Sequence, residues 1–119
     1  MKTLEPFNQF FADSAKYGAD ARCLVVCVHP QTARYKFDEL RDLATVRIVN
    51  TTTRYITYRS GATMVFEVVY SPENTTRLLG REYTHLVLNI NVPTACGDKL
   101  RTLLRSKVIP NCHKNIAYF

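Results

Sequence analysis

The fold is decided by the run Cys23-Leu24-Val25-Val26-Cys27-Val28, which is apolar at every position and is bounded by His29-Pro30. A strand with one face in water alternates apolar and polar residues, whereas a strand covered on both faces reads as a continuous apolar run. Leu86 to Ile90 is predicted to be a second strand of this kind. The two runs therefore predict the centre of a sheet that is covered on both faces.

Helical patterns surround these strands. Apolar side chains recur every three or four residues from Phe7 to Ala15, which predicts an amphipathic helix that ends at Gly18. The interval from Ala33 to Ala44 predicts a second helix that packs back on the first strand. A helix from Asp98 to Lys107 and an edge strand from Asn115 to Phe119 are predicted to complete the chain.

A hairpin is predicted in the middle of the sequence. Ser60-Gly61 separates two strand-like segments, Arg54 to Arg59 and Ala62 to Tyr70, and glycine supplies the positive φ that a tight turn needs. Ser71-Pro72 then begins a short helix that Gly80 ends. This order predicts an α/β fold, namely one three-layer domain over residues 1–119 with a mainly parallel sheet and a β-hairpin.

Composition limits the classes of function. Sixteen Lys and Arg against ten Asp and Glu give a net charge of +6, which favours phosphate-bearing or acidic partners. No segment approaches the roughly 18 apolar residues of a membrane span, and the N-terminus lacks the pattern of a secretory signal, so we expect a cytoplasmic protein without membrane contact. Cys23 and Cys27 are interpreted as buried thiols, and the spacing of the cysteines and histidines predicts no metal site.

The order of these segments resembles the ATPase domain of the viral terminase large subunit, the motor that packages phage DNA, and more distantly RecA-like helicases. In that family a Gly-Lys-Thr phosphate loop opens a helix, and a later strand, Walker B, ends in an acidic pair that holds magnesium and aligns water. The matching segments are Lys2-Thr3, Cys23 to Pro30, Ser60-Gly61-Ala62, Leu78-Leu79-Gly80-Arg81, His85 to Asn89 and Leu100 to Arg105. The resemblance implies a P-loop NTPase core and, for a viral chain, the host cytoplasm.

The residues that carry the chemistry of that family are replaced. Lys2 and Thr3 are not preceded by the glycine-rich segment whose backbone N–H groups bind phosphate, so we expect no working phosphate loop. Asn89 and Ile90 stand where the family has its magnesium-binding carboxylate and its catalytic glutamate. An amide is a poor magnesium ligand and isoleucine cannot polarise water. We therefore expect a protein that is not an enzyme, has no catalytic residue, cofactor or metal, and works by binding.

Six arginines are the candidate binding residues for nucleic acid or a partner protein: Arg54, Arg59, Arg77, Arg81, Arg101 and Arg105. Interleaved with Tyr55, Tyr58 and Tyr83, they would form a basic and aromatic surface suited to a phosphate backbone. The alternative is an ordinary solvated surface with half-buried tyrosines. His85 lies in an apolar strand and is interpreted as a hydrogen-bonded core histidine rather than a general base.

The expected function is that of a non-catalytic phage-type protein that binds a partner protein, with another NTPase as one candidate, or DNA. Self-association is left open. The competing interpretation is a subunit that contributes to a shared nucleotide-hydrolysing site in an oligomeric packaging or helicase-like motor, where Arg77 or Arg81 would act in trans.

Overall fold

The computed structural model describes residues 4–119, and Lys2 and Thr3 therefore lie outside the described residues. Six strands form one mixed sheet: β1 (Arg22–Cys27), β2 (Val46–Asn50), β3 (Tyr55–Tyr58), β4 (Thr63–Val68), β5 (His85–Leu88) and β6 (Ile116–Tyr118). Their order across the sheet is β2-β3-β4-β1-β5-β6. The pairs β1 with β4, β1 with β5 and β5 with β6 are parallel, whereas β3 is antiparallel to both of its neighbours.

Within residues 4–119, three α-helices accompany the sheet: α1 (Asn8–Tyr17), α2 (Pro30–Arg41) and α3 (Thr94–Arg101). α1 ends at Gly18, whose φ of 60° lies in the region that favours glycine, as the sequence predicts. α2 begins with Pro30 at its first turn, where the missing N–H would have no helical partner. A six-residue 3-10 helix, Glu73–Leu78, forms the connection between β4 and β5.

The strand register divides the side chains between two faces of the sheet. α1 and α2 cover one face, where the Phe10 ring lies 5.8 Å from Tyr58 and the Phe37 ring lies 5.5 Å from Phe66. α3 covers the opposite face at β5, where Gly97 packs closely: a Cβ at that position would lie 3.2 Å from Leu88 Cδ1. Helices on both faces of a mostly parallel sheet make this an α/β fold, as predicted.

The two apolar runs occupy the positions that the sequence predicts. β1 and β5 are neighbours in the interior of the sheet, and Val25 and Val87 are both buried. The predicted C-terminal edge strand is also confirmed, because β6 pairs with β5 through Leu86 and Ile116. The predicted hairpin is formed by β3 and β4, with Gly61 at a φ of 94°.

The predicted helix from Asp98 to Lys107 is wrong in its position, since α3 spans Thr94–Arg101. Leu103 and Leu104 are buried, but the backbone there has left the helix to bond with Tyr83. Tyr83 N donates to Leu103 O at 2.9 Å and Arg105 N donates to Tyr83 O at 2.9 Å. These bonds to a residue some twenty positions earlier replace the i to i−4 bonds that a continued helix would make.

Cys23 and Cys27 are buried and carry free thiols, as expected from their place in β1. Burial raises the pKa of Cys27 to about 12, although the charges of Arg54 and Lys36 oppose that rise. Burial also raises the pKa of Cys23. Both thiols therefore remain protonated at neutral pH and behave as small apolar groups of the core.

Candidate binding surface

The structure does not bring the six candidate arginines onto one surface. Arg54 and Arg59 flank β3 at its two ends, which separates their Cα atoms by about 15 Å at the rise of an extended strand. Arg77 and Arg81 do converge, because both reach Glu67 of β4. Arg77 Nη1 lies 2.6 Å from Glu67 Oε1, and Arg81 Nη1 lies 3.6 Å from Glu67 Oε2.

The other two arginines lie near the end of α3. Arg101 is the last residue of that helix and donates to the Tyr118 hydroxyl at 3.2 Å. Arg105 donates to the Thr102 carbonyl at 3.0 Å. Both residues are exposed. Within residues 4–119, neither side chain contacts Glu67 or the two arginines paired with it.

Within residues 4–119, one face of β2, β3 and β4 is left without an α-helix, and we call it the open face. Its strand residues point away from α1 and α2 and pair across the three strands: Ile48, Asn50, Tyr55, Thr57, Val65 and Glu67. Ile48 is 53% exposed and Tyr55 is 39% exposed. The residues between them in sequence, such as Ile56 and Met64, point to the covered face and are fully buried.

Arginines border the open face. Arg77 and Arg81 are both held there by Glu67, and Leu79, which stands between them in the sequence, is 43% exposed. Arg22 of β1 is exposed and shares the same side of the sheet, with its guanidinium 5.9 Å from the centre of the Tyr83 ring. The open face therefore combines an apolar centre with a cationic border in which Glu67 pairs with Arg77 and Arg81.

Only part of this surface is predicted from the sequence. Tyr55, Arg77 and Arg81 are among the predicted binding residues, whereas Ile48 is not. The predicted interleaving of three tyrosines is wrong for two of them, since Tyr58 and Tyr83 are buried. The alternation of buried and exposed residues along β3 is the signal that separates Tyr55 from Tyr58, because they differ by an odd number of positions.

The edge of the sheet next to the open face is unpaired. Within residues 4–119, β2 pairs with β3 alone, so the backbone groups on its other side face outward. Arg47 and Ile48 are exposed on this five-residue strand. An unpaired edge presents a row of N–H and C=O groups that can add a strand from another chain.

Asn89 has a structural role at the end of β5. Its Nδ2 donates to Phe119 O at 3.2 Å, and its Oδ1 accepts from Asn91 N at 3.1 Å. The residue is 9% exposed, whereas the neighbouring Ile90 is 74% exposed. The amide thus ties the end of β5 to the end of β6 and to the turn that follows β5.

His85 is a buried, hydrogen-bonded histidine, as the sequence analysis interprets it. Its Nε2 lies 2.7 Å from Asp13 Oδ2 of α1, and its Nδ1 lies 2.8 Å from Thr84 Oγ1. Phe10 packs edge-on against the imidazole at 5.4 Å. Burial lowers the pKa of His85, and the bond to Asp13 partly opposes this shift. Both ring nitrogens are engaged, so the side chain links α1 to β5.

No protein-family model, curated protein or solved structure is significantly similar to this chain. Every helix within residues 4–119 is too short or too polar to span a membrane. The same residues contain no group of three His, Cys, Asp or Glu side chains placed to hold a metal ion. The geometry of the surfaces is therefore the basis for assigning a function.

Proposed function

We propose that this protein is a non-catalytic binding module that docks its open face on an acidic surface of a protein partner. The observation that carries the proposal is the exposure of Ile48 and Tyr55 on a sheet face bordered by Arg77 and Arg81. Exposed apolar patches with a polar rim mark interaction sites in soluble proteins. Tyrosine and arginine are also the residue types that dominate binding energy in protein interfaces.

Charge and side-chain type define the partner. The chain carries a net charge of +6, and at the open face Glu67 pairs with Arg77 and Arg81 while Arg22 lies over the Tyr83 ring. Complementary potentials speed association and select partners, which favours an acidic surface. A protein fits better than DNA because Ile48 and Val65 of the open face are aliphatic, whereas surfaces that bind single strands stack bases on aromatic rings.

The resemblance to a packaging ATPase core suggests that the partner is another NTPase. The engagement of the Asn89 amide within the fold and the exposure of Ile90 support a core that binds without hydrolysing nucleotide. The competing role for Arg77 or Arg81, stabilising phosphate in trans, requires these side chains to leave Glu67. Their existing pairing supports docking over that role.

Site-specific photo-crosslinking tests the docking proposal. A photoreactive residue is placed at Tyr55 and, as the matched control, at Tyr35, which is 64% exposed on α2. The protein captured through position 55 in the cells that produce this chain is purified, and its dissociation constant is measured by calorimetry. We expect Tyr55→Glu to weaken binding by tenfold or more, as for a central interface residue, and Tyr35→Glu to have little effect.

Two results would contradict docking on the open face. One is equal weakening by Tyr55→Glu and Tyr35→Glu. The other is tight binding of a single-stranded or duplex oligonucleotide that falls steeply with salt, because neutralised phosphates release counterions. The second result would make nucleic acid the partner.

An ATPase assay tests the non-catalytic part of the proposal separately. We expect no magnesium-dependent ATP hydrolysis by the wild-type protein or by Asn89→Asp, because one carboxylate does not restore a phosphate loop. Turnover by the wild-type protein that disappears in Asn89→Ala would show that the chain hydrolyses nucleotide. That result would leave the docking experiment unaffected.

A further inference from the structure

A small polar pocket lies between α2 and the loop that joins β2 to β3. Its volume is about 270 Å³, and it is lined by Arg34, Phe37, Asp38, Arg41, Thr51 and Arg54. Three arginines from two separate elements thus meet in one pocket with one carboxylate. The pocket lies against α2, on the covered side of the molecule, and is distinct from the open face.

The charges in this pocket are largely uncompensated. Arg41 Nη1 lies 3.8 Å from Asp38 Oδ1, and the Arg41 guanidinium packs 5.6 Å from the centre of the Phe37 ring. Within residues 4–119, neither Arg34 nor Arg54 has a carboxylate within ion-pair distance. The pocket therefore carries an excess of two positive charges that no described side chain neutralises.

The backbone of Arg54 is in a conformation that favours glycine. Its φ is 51°, and its carbonyl accepts from Phe66 N at 3.1 Å at the start of the hairpin. Asn50 Oδ1 holds the loop by accepting from Thr52 N and Thr53 N. Glycine is the usual residue at a left-handed position that closes a loop of this kind. Arginine is strained in this conformation, whereas glycine would not be. What arginine provides, and glycine would not, is a side chain that lines the pocket.

We propose that this pocket binds the phosphate monoester group of a small molecule through the guanidinium groups of Arg34, Arg41 and Arg54. A guanidinium donates paired N–H bonds that match the spacing of phosphate oxygens. A monoester carries close to two negative charges at neutral pH, which balances the charge of the pocket. A phosphodiester backbone carries one charge per phosphate and is contacted along a track, whereas these three arginines converge on a single cavity.

Titration monitored through the arginine Nε–H resonances tests the site. The probes are inorganic phosphate and a nucleoside 5′-monophosphate, added to the wild-type chain, and we expect saturable shifts at Arg34 and Arg54. Arg54→Gly should weaken binding on the order of tenfold or more, since it removes charge-assisted hydrogen bonds. Asp38→Asn should strengthen binding, because it removes the one carboxylate of the pocket.

Control variants separate the charge of Arg54 from its backbone. Arg54→Gly relieves the positive φ, so its thermal midpoint should be no lower than that of the wild-type protein. Asn111→Gly likewise relieves a positive φ, of 58°, but outside the pocket. Arg59→Gln removes one positive charge at the other end of β3. Both variants should bind the probes with the wild-type affinity.

Three outcomes with these probes and variants would overturn the assignment, and a fourth comes from an oligonucleotide. They are the absence of saturable shifts with either probe, an Arg54→Gly variant with wild-type affinity, and an Asp38→Asn variant that binds no more tightly. An unphosphorylated single-stranded oligonucleotide provides the last arm. If it shifts the Arg34 and Arg54 resonances while the monophosphate does not, the pocket contacts a nucleic-acid backbone and the monoester assignment is wrong.

Discussion

The covered and open faces of β2, β3 and β4 are formed by the same strands but have different roles. In β3, Ile56 and Tyr58 are buried beneath helices, whereas Tyr55 is exposed and Thr57 is half-buried on the other side. Because side chains alternate along a strand, neighbouring residues divide into those that stabilise the sheet and those that are available for contact. Mutation of adjacent residues should therefore separate stability from binding.

Ile56→Ala should produce the largest effect. The side chain is fully buried, and truncation of a core isoleucine costs about 2–5 kcal/mol of unfolding free energy through lost burial and the cavity that remains. Tyr55→Ala is the matched change on the open face, and we expect it to cost less than about 1 kcal/mol. Urea unfolding measures both values. Similar losses for the two variants would show that the open face also contributes to the core.

Acid should lower the free energy of unfolding through His85, which is buried on the covered face. The folded protein holds the pKa of this imidazole below the ordinary value of 6.5, so the unfolded chain takes up a proton first as the pH falls. The stability due to neutral His85 is therefore complete above pH 6.5 and is lost as the pH falls from there towards the folded pKa. Urea unfolding at pH 7.5 and 5.5 should show this loss in the wild-type protein.

His85→Gln should remove that part of the pH dependence. It should also cost about 1–3 kcal/mol at pH 7.5, because it disturbs the buried bonds to Asp13 and Thr84. His29→Gln alters an exposed histidine and serves as the control that retains the wild-type pH dependence. An unchanged difference between the two pH values in His85→Gln would mean that another group causes it.

Alanine at both Arg77 and Arg81 should have the smallest effect on stability. Their side chains are 45% and 50% exposed, and an exposed ion pair contributes about 0–1 kcal/mol. We expect a small loss of unfolding free energy that decreases further at high salt, since salt screens exposed charges. The same variant should bind the docking partner more weakly. A large loss of stability with unchanged binding would reverse the roles assigned to the two faces.

The sequence is sufficient to predict the centre of the sheet but not the extent of its covering layers. The continuous apolar runs of β1 and β5 indicate burial on both faces. This inference does not require knowing which strands and helices pack against them. The open face depends on the connection after β4, which contains the 3-10 helix Glu73–Leu78 and, within residues 4–119, leaves one face of β2 to β4 without an α-helix. The hydrophobic pattern of one strand does not show whether the connection that follows it will cover the neighbouring strands.

Long-range contacts also explain why the sequence predicts neither the end of α3 nor the arginine pocket. Leu100, Leu103 and Leu104 fit a helical period, but the bond between Tyr83 and Leu103 ends the helix earlier. Arg34 and Arg41 are seven residues apart and therefore share one face of α2 by their spacing alone, whereas the approach of Arg54 requires the β2 to β3 loop to lie against that helix. Contacts between distant segments decided both features.

The central position of β1 sets the order in which this chain can fold. β1 comes early in the sequence, yet Leu24 pairs with Val65 and Leu86, about forty and sixty residues later. The hairpin of β3 and β4 closes locally, whereas β1 must wait for partners whose approach requires long loops to close. Until then its apolar run, free of charge and proline, remains exposed to other chains. Refolding should therefore be most prone to aggregation before β4 and β5 enclose β1, and dilution should raise the yield.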